Sequence, residues 1–195
     1  MNLFDRASDR LKLHQSRKAI DADILRMAKA VAKASPKTDG KRIVSFNAST
    51  RITGLSLNAA FAMLTGWSLR LQGVEVINFV CQRGMTRCVL GTDQNDVKKL
   101  PPCRQCIKQS AVIYSHANVV RCDFYPSPDL AEALQDADLS VLRRFNYEGL
   151  PLGDLCLPSM RWILRRHHLI DDEPTRILYR HYILSAFKIA MQFER

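Results

Sequence analysis

The amino-acid sequence predicts an α/β fold: a parallel sheet with flanking helices, a helical arm before it and a helical carboxyl-terminal part after it. Two observations lead to this prediction. Residues 41–80 show a strand, helix and strand pattern, and helical apolar periodicity runs through residues 1–35 and 155–193. No short segment repeats, and no GxGxxG, GxxxxGK[ST], GxSxG or HExxH motif occurs, so the sequence carries none of these nucleotide, hydrolase or protease signatures.

The strand, helix and strand pattern predicts a Rossmann-like sheet. Residues 42–46 are β-branched and aromatic, residues 47–54 form a polar loop, and residues 74–80 form a second apolar strand. Between them, apolar residues recur at helical spacing and predict a buried stripe, which comprises Leu57, Ala60, Phe61, Leu64, Trp67, Ser68 and Leu71. Consecutive parallel strands joined by a helix predict a right-handed crossover.

The amino-terminal arm is predicted to be amphipathic. Residues 1–40 form this helical arm and a linker, and the helix is expected to end near Pro36. Residues 41–195 form the Rossmann-like domain, with a cysteine-rich insertion at 81–106 and carboxyl-terminal helices. The apolar face of the arm predicts packing against the sheet domain, and that face comprises Ile20, Ile24, Met27, Ala28 and Val31.

The charge of the chain suggests anionic partners. The 195 residues carry a formal net charge of +10. Residues 1–110 hold the basic excess, whereas residues 111–195 are close to neutral. Nucleic acid, nucleotide-sugar phosphates and an anionic membrane surface all suit such a field. The sequence lacks an apolar run of about 18 residues and an apolar signal core, so we expect a cytoplasmic protein.

Four cysteines predict a metal site. They form a C-x6-C and a C-x2-C pair, and they are Cys81, Cys88, Cys103 and Cys106. Two thiolate pairs complete a tetrahedron around a structural zinc ion. The alternatives are an iron–sulfur cluster, a redox pair, and unliganded thiols packed as small apolar residues. Cys122 and His116 are possible substitute ligands.

Three segments together carry a resemblance to a known family. The first is residues 43–80 and the second is the four-cysteine set. The third is the pattern Phe145-x-Tyr147-x-Gly149-x-Pro151-Leu152-Gly153 with Ser159 and Arg161, continued by Arg180-x-Tyr182 and Ser185-Ala186. These segments resemble the amino-terminal domain of bacterial capsule or surface polysaccharide biosynthesis proteins, which are glycosyltransferases of the two-Rossmann-domain (GT-B) type.

The resemblance implies an incomplete enzyme. In such proteins the first domain shapes the acceptor side of a cleft, and a second domain binds most of the nucleotide sugar. This sequence stops before further strands and the second domain, so we expect a second glycosyltransferase domain or subunit as partner, and the catalytic residues remain unknown. The expected residues that bind a glycan acceptor are Ser49, Thr50, Arg51, Thr53, Tyr147 and Glu148.

A second interpretation belongs to another class. The basic first half and the C-x2-C pair also suit a zinc-knuckle module that binds nucleic acid or regulates a partner. Aromatic residues are not interleaved with the basic ones as stacking would require, so nucleic acid is the less favoured partner. A cytoplasmic protein peripheral to the inner face of the membrane suits the glycosyltransferase-like interpretation.

Overall fold

A computed structural model describes residues 3–38, 40–47, 55–91, 93 and 96–195. These residues form a mixed α/β structure with a three-stranded open parallel sheet in the order β1-β2-β3. The strands are β1 (Arg42–Asn47), β2 (Glu75–Cys81) and β3 (Asn118–Cys122). The helices in this part of the chain are α1 (Leu3–Ala34), α2 (Leu57–Leu71), α3 (Cys103–Ile113), α4 (Pro128–Leu134), α5 (Leu139–Arg143), α6 (Leu152–Leu164) and α7 (Glu173–Glu194).

The chain divides into two compact units. The sheet unit comprises Met1–Val80 and Arg104–Arg121, and the helical unit comprises Cys81–Cys103 and Cys122–Arg195. Helix α1 therefore belongs to the same compact unit as most of the sheet. The sequence instead places a boundary after residue 40, and that boundary stays a prediction.

Strand β2 is the central strand of the sheet. Strand β1 pairs with it in parallel, from Arg42 opposite Glu75 to Asn47 opposite Val80. Most side chains in the middle of β2 are buried. Strand β1 lies at the edge of the sheet, and most of its side chains are exposed. The predicted strand, helix and strand unit is confirmed, since one helix lies between two parallel strands.

Helix α2 buries a different face from the predicted one. Ala59, Met63 and Trp67 recur every four residues and are buried. Leu57 and Phe61 were expected in the core, but they are 83% and 73% exposed. The prediction of that stripe is wrong except at Trp67, because α2 carries apolar residues on more than one face and periodicity alone does not say which face meets the sheet.

Helix α1 packs in the sheet unit through one short stripe. Ile24 and Ala28 are buried beside the α2 core residues, and Val31 is partly buried. The side chain of Gln109 in α3 donates a hydrogen bond to Asp21 over 3.1 Å. The arm thus packs in the sheet unit as expected, but Ile20 and Met27 of its predicted apolar face are exposed. Helix α1 ends before Pro36, as predicted.

Helix α7 forms the centre of the helical unit. Leu178, Tyr179 and Ile183 are fully buried in one cluster with residues of α4, α5 and α6. The Tyr179 hydroxyl donates to the Gly153 carbonyl over 2.8 Å. A Cβ on Gly153 would lie 2.2 Å from the Leu142 carbonyl oxygen, so α6 approaches α5 at a distance that only glycine permits.

Candidate functional site

Four of the predicted acceptor-binding residues, Ser49, Thr50, Arg51 and Thr53, lie outside the described residues. Strand β1 ends just before them at Asn47, whose side-chain amide donates to the Tyr114 hydroxyl over 2.5 Å. This contact fixes the last residue before the loop. The acceptor role of the loop stays a prediction.

The other two predicted acceptor residues lie in a tight turn. The backbones of Tyr147 and Leu150 exchange hydrogen bonds of 3.0 and 2.9 Å. Between them, Glu148 and Gly149 have φ angles of 51° and 80°, which belong to the left-handed region. The Tyr147 ring packs edge-on against Phe187 at 5.1 Å. Tyr147 therefore anchors the turn, and Glu148 is exposed to solvent.

The end of β2 and the end of β3 bring two cysteines together. The Cys122 thiol donates a hydrogen bond to the Cys81 sulfur, and this contact is the main cause that lowers the pKa of Cys81 to about 6. Burial opposes this shift, and the backbone N–H groups of Met85, Gly84 and Arg83 add to it. The pKa of Cys122 is raised by the same hydrogen bond and by burial. We call Cys81 with these three N–H groups the thiolate nest.

The thiolate nest depends on close backbone approach. The Gln82 N–H donates to the Cys122 carbonyl over 2.6 Å. A Cβ on Gly84 would lie 3.1 Å from the Cys122 sulfur and 3.3 Å from Ile189. Arg83 has a φ of 69°, which turns the chain back over Cys81. Three successive N–H groups that surround one atom suit an anion, here the Cys81 thiolate.

The four-cysteine metal site stays a prediction. The sequence predicts a helix over residues 107–117, after the C-x2-C pair, but α3 begins at Cys103, so Cys103 and Cys106 lie in its first turn. That part of the prediction is wrong, because the two cysteines are compatible with helical backbone. Within the part of the chain that the structure describes, no group of three or more His, Cys, Asp or Glu residues is placed to hold a metal ion.

The structure gives Cys81 a partner that the sequence weighed only as a substitute. Cys81 is paired with Cys122, whereas Cys88 interacts electrostatically with Tyr182. His116, the other possible substitute, occupies a turn with a φ of 57°, and its carbonyl accepts from Arg70 over 2.9 Å. The pairing could be anticipated only by knowing that β2 and β3 are neighbours.

A histidine in α7 belongs to a half-buried polar cluster. The His181 Nδ1 lies 2.9 Å from the Thr86 hydroxyl, and the Thr86 N–H donates to the Ser185 hydroxyl over 3.2 Å. Burial, with a contribution from Arg87, lowers the pKa of His181 to about 4. Ser185 is completely buried, so this cluster holds the chain at Thr86 to α7.

A cavity of about 740 Å³ lies in the helical unit, and the sequence analysis missed it. Its walls come from residues 89–91, 93, 99, 100 and 102 and from the end of α6. The lining residues are Val89, Leu90, Gly91, Asp93, Lys99, Leu100, Pro102, Arg161, Trp162, Ile163 and Arg165. We call this site the basic cavity, because three cations and one carboxylate line it. The one feature of the sequence that could have indicated this cavity is the group of arginines at 161, 165 and 166.

Comparisons with protein-family models, curated proteins and solved structures found no significant match to this chain. None of the helices in the described ranges is long and apolar enough to cross a membrane. The fold and the site thus define an α/β protein with a thiolate nest and a basic cavity.

Proposed function

We propose that this chain is a glycosyltransferase-like, acceptor-side domain of bacterial polysaccharide biosynthesis that needs a second domain or subunit for transfer. The observation that carries this proposal is the parallel β1-α2-β2 unit. In open parallel sheets, ligands bind outside the carboxyl ends of the strands. Here those ends lead into the loop before α2 and into the thiolate nest, which are two of the segments that carry the family resemblance.

Exposed apolar side chains support the need for a partner. Leu57, Phe61 and Leu64 of α2 are all more than half exposed, and so is Phe46 of β1. Soluble proteins expose single apolar residues freely, whereas several on one element are typical of a surface that another domain covers. The second glycosyltransferase domain, which would bind most of the nucleotide sugar, is the proposed occupant.

The location and the further partners follow from charge. The basic excess in residues 1–110 supports attraction to anionic phosphates, and a cytoplasmic position at the inner face of the membrane would place the protein near lipid-linked glycans. A zinc-knuckle module that binds nucleic acid remains the alternative. Salt-dependent binding to unrelated oligonucleotides would favour that alternative.

Transfer can be tested with and without the missing domain. The full chain would be incubated with nucleotide sugars and glycan acceptors, alone and with the product of any neighbouring glycosyltransferase gene, and products would be detected by mass spectrometry. We expect transfer only in the combined reaction. Absence of both transfer and acceptor binding in both settings would overturn the proposal.

A pair of matched variants tests the exposed surface of α2. Phe61→Lys places a charge on that surface, and we expect it to abolish association with the partner and therefore transfer. Leu155→Lys alters a similarly exposed apolar residue in the helical unit, where Leu155 is 64% exposed, and should leave both unchanged. Equal effects of the two variants would argue against a partner at α2.

The proposed structural zinc is tested by metal analysis of the purified chain. We expect about one equivalent of zinc, which is lost in Cys103→Ser and kept in Cys156→Ala, since Cys156 lies outside the four-cysteine set. Visible absorbance with iron in place of zinc would instead identify an iron–sulfur cluster. A metal-free chain with normal stability would remove both cofactors.

A further inference from the structure

The basic cavity has the size of a ligand site. Its volume of about 740 Å³ falls within the range of roughly 300–1,000 Å³ that small-molecule sites occupy. Gly91 allows one wall to close, because a Cβ there would lie 2.5 Å from the Cα of Pro101. Gly91 therefore lies against Pro101 and Pro102, and Gly91 and Pro102 both line the cavity.

An exposed tryptophan lies in the wall of the cavity. Trp162 is 65% exposed, whereas Trp67 in the sheet unit is 7% exposed. On α6, Met160 and Leu164 are buried in the core of the helical unit, so Trp162 between them faces away from that core. An exposed indole ring offers a flat apolar face beside a polar N–H, and such a face suits a sugar ring with its apolar C–H groups.

The charges around the tryptophan favour an anion. Lys99, Arg161 and Arg165 line the cavity together with one carboxylate, Asp93, which lies 3.4 Å from the Lys99 ammonium. Among the described residues, the Nε of Arg161 is buried and has no hydrogen-bond partner. A buried donor of a charged group is costly to leave unpaired, and a guanidinium binds a carboxylate or phosphate through paired N–H donors.

Arg165 adds a second guanidinium where glycine is the usual residue. It ends α6 in the left-handed conformation, with a φ of 52° and a ψ of 40°. Helices commonly end with glycine in this conformation, because glycine has no Cβ to clash. An arginine here is less favourable for the backbone and places a cation at the cavity wall.

The position of α6 argues against a nucleotide. Phosphate chains bind well at helix amino termini, where backbone N–H groups point outward. The cavity instead meets the last turn of α6, so side-chain cations are the anion-binding groups in that wall. An aromatic ring beside separate cations matches a saccharide with an acidic group better than a pyrophosphate.

We propose that the basic cavity binds an anionic saccharide, with the sugar ring on Trp162 and its carboxylate or phosphate on Arg161 and Arg165. This inference deepens the proposed function and rests on it in one respect: the bound saccharide would be part of the glycan acceptor. The shared chemistry is a sugar ring with a negative group, and a uronic acid and a sugar phosphate are its two sources.

Fluorine NMR of the full chain labelled with 5-fluorotryptophan tests the proposal directly. The protein has two tryptophans, so Trp162 reports on the cavity and Trp67 serves as an internal control. The ligands are a glucuronate-containing tetrasaccharide, glucose 1-phosphate, neutral chitotetraose and uridine monophosphate. We expect saturable shifts of the Trp162 resonance with the tetrasaccharide or the sugar phosphate, and binding roughly tenfold weaker for chitotetraose.

The two acidic ligands identify the source of the anion, and salt tests its role. A stronger response to the tetrasaccharide points to a uronic acid, and a stronger response to glucose 1-phosphate points to a sugar phosphate. Binding should weaken as ionic strength rises. Equal binding of chitotetraose, tighter binding of uridine monophosphate, a response of Trp67 alone, or no response at all would each overturn the proposal.

Charge variants provide a matched comparison by calorimetry. Arg161→Gln and Arg165→Gln should each weaken binding roughly fivefold to tenfold, as loss of a charge-assisted contact does. Arg166→Gln is the control, because Arg166 pairs with Asp172 over 3.4 Å and does not line the cavity. An Arg166→Gln effect as large as that of Arg165→Gln would overturn the assignment.

The cavity and the proposed function can fail separately. If the Trp162→Ala variant transfers as fast as the wild type when the partner domain is present, the cavity is not the saccharide site. The proposed glycosyltransferase-like function would then still hold. Binding of the acidic saccharide at Trp162, without transfer in any combination, would keep the cavity as a saccharide site and overturn the transferase proposal.

Discussion

The sheet unit and the helical unit bury their apolar residues to different extents. In the helical unit, α7 is surrounded by other helices, and Leu178, Tyr179 and Ile183 are fully buried. In the sheet unit, α2 buries a stripe of three residues and leaves Leu57 83% exposed and Phe61 73% exposed. Burial of apolar area is the dominant favourable term in folding, so the helical unit has the better-formed core of its own.

This difference separates two roles. The helical unit contains a buried core and the basic cavity. The sheet unit has apolar surface on α2 and β1 that a further domain would bury. Substitutions in both units test this difference.

The largest expected effect comes from the same substitution made in each unit. Leu178 is fully buried and Leu57 is 83% exposed. Leu178→Ala should lower the free energy of unfolding by about 3 kcal/mol, because it leaves a cavity in the core. Leu57→Ala should change it by less than about 0.5 kcal/mol. Urea denaturation measures both values, and equal losses would show that the surface of α2 is already covered.

Acid should weaken the helical unit through His181. Its pKa is lowered from 6.5 to about 4, so between these values the unfolded chain binds more protons than the folded one. This contribution to stability is present above pH 6.5 and is lost as the pH falls towards 4. Because His181 is only half-buried, we expect a loss of about 1 to 2 kcal/mol.

The matched variants for this pH effect are His181→Gln and His168→Gln. His181→Gln keeps a side chain that can hydrogen-bond to Thr86 but does not titrate, so its stability should fall less than that of the wild type at low pH. His168 is exposed, and His168→Gln should follow the wild-type profile. Identical profiles for all three proteins would contradict the assignment to His181.

The thiolate nest should show in the reactivity of Cys81. In the chain stripped of metal by a chelator, iodoacetamide labelling followed by peptide mass spectrometry should give a pH midpoint for Cys81 near 6. Cys122→Ala removes the donated hydrogen bond, so the pKa of Cys81 should rise and its labelling near neutral pH should fall by up to roughly tenfold. Cys156→Ala, a change at a cysteine outside the nest, should leave the midpoint in place. A Cys81 midpoint unaltered by Cys122→Ala would show that the backbone N–H groups act alone.

The smallest effect is expected at the edge of the sheet. The Arg42 guanidinium lies 2.8 Å from the Glu75 carboxylate across the β1 and β2 pair, and Arg42 is 64% exposed. Arg42→Gln should cost less than about 0.5 kcal/mol, and the cost should shrink further in high salt. A loss well above this value would indicate that β1 is buried by something in solution.

Local patterns were sufficient to predict most elements of the fold. The β-branched run at residues 42–46 gave β1, and the apolar run at residues 74–80 gave β2. Asp172 and Pro174 are local start signals of α7, where the Asp172 carboxylate accepts from the Thr175 N–H over 2.8 Å. These signals depend on residues close in sequence. The buried face of α2 could not be predicted, because Leu57 and Met63 are equally apolar and only packing distinguishes them.

The site was less predictable because its parts are distant in sequence. Cys81 meets Cys122 only because β2 and β3 are neighbours in the sheet. The predicted role of Tyr147 in binding an acceptor stays a prediction. The basic cavity joins Lys99 to Arg161 and Trp162, which lie in separate segments. A search for motifs does not detect such a site.

Propensity, periodicity and charge are local properties, so the sequence was sufficient to predict the helical arm, the β1, α2 and β2 unit, the carboxyl-terminal helices and the basic half of the chain. Tertiary structure alone decided which apolar face of α2 is buried, which cysteine partners Cys81, and that a tryptophan and three cations line one cavity. Those outcomes depend on which distant segments pack together, because close packing and strand order bring into contact residues that the chain keeps far apart.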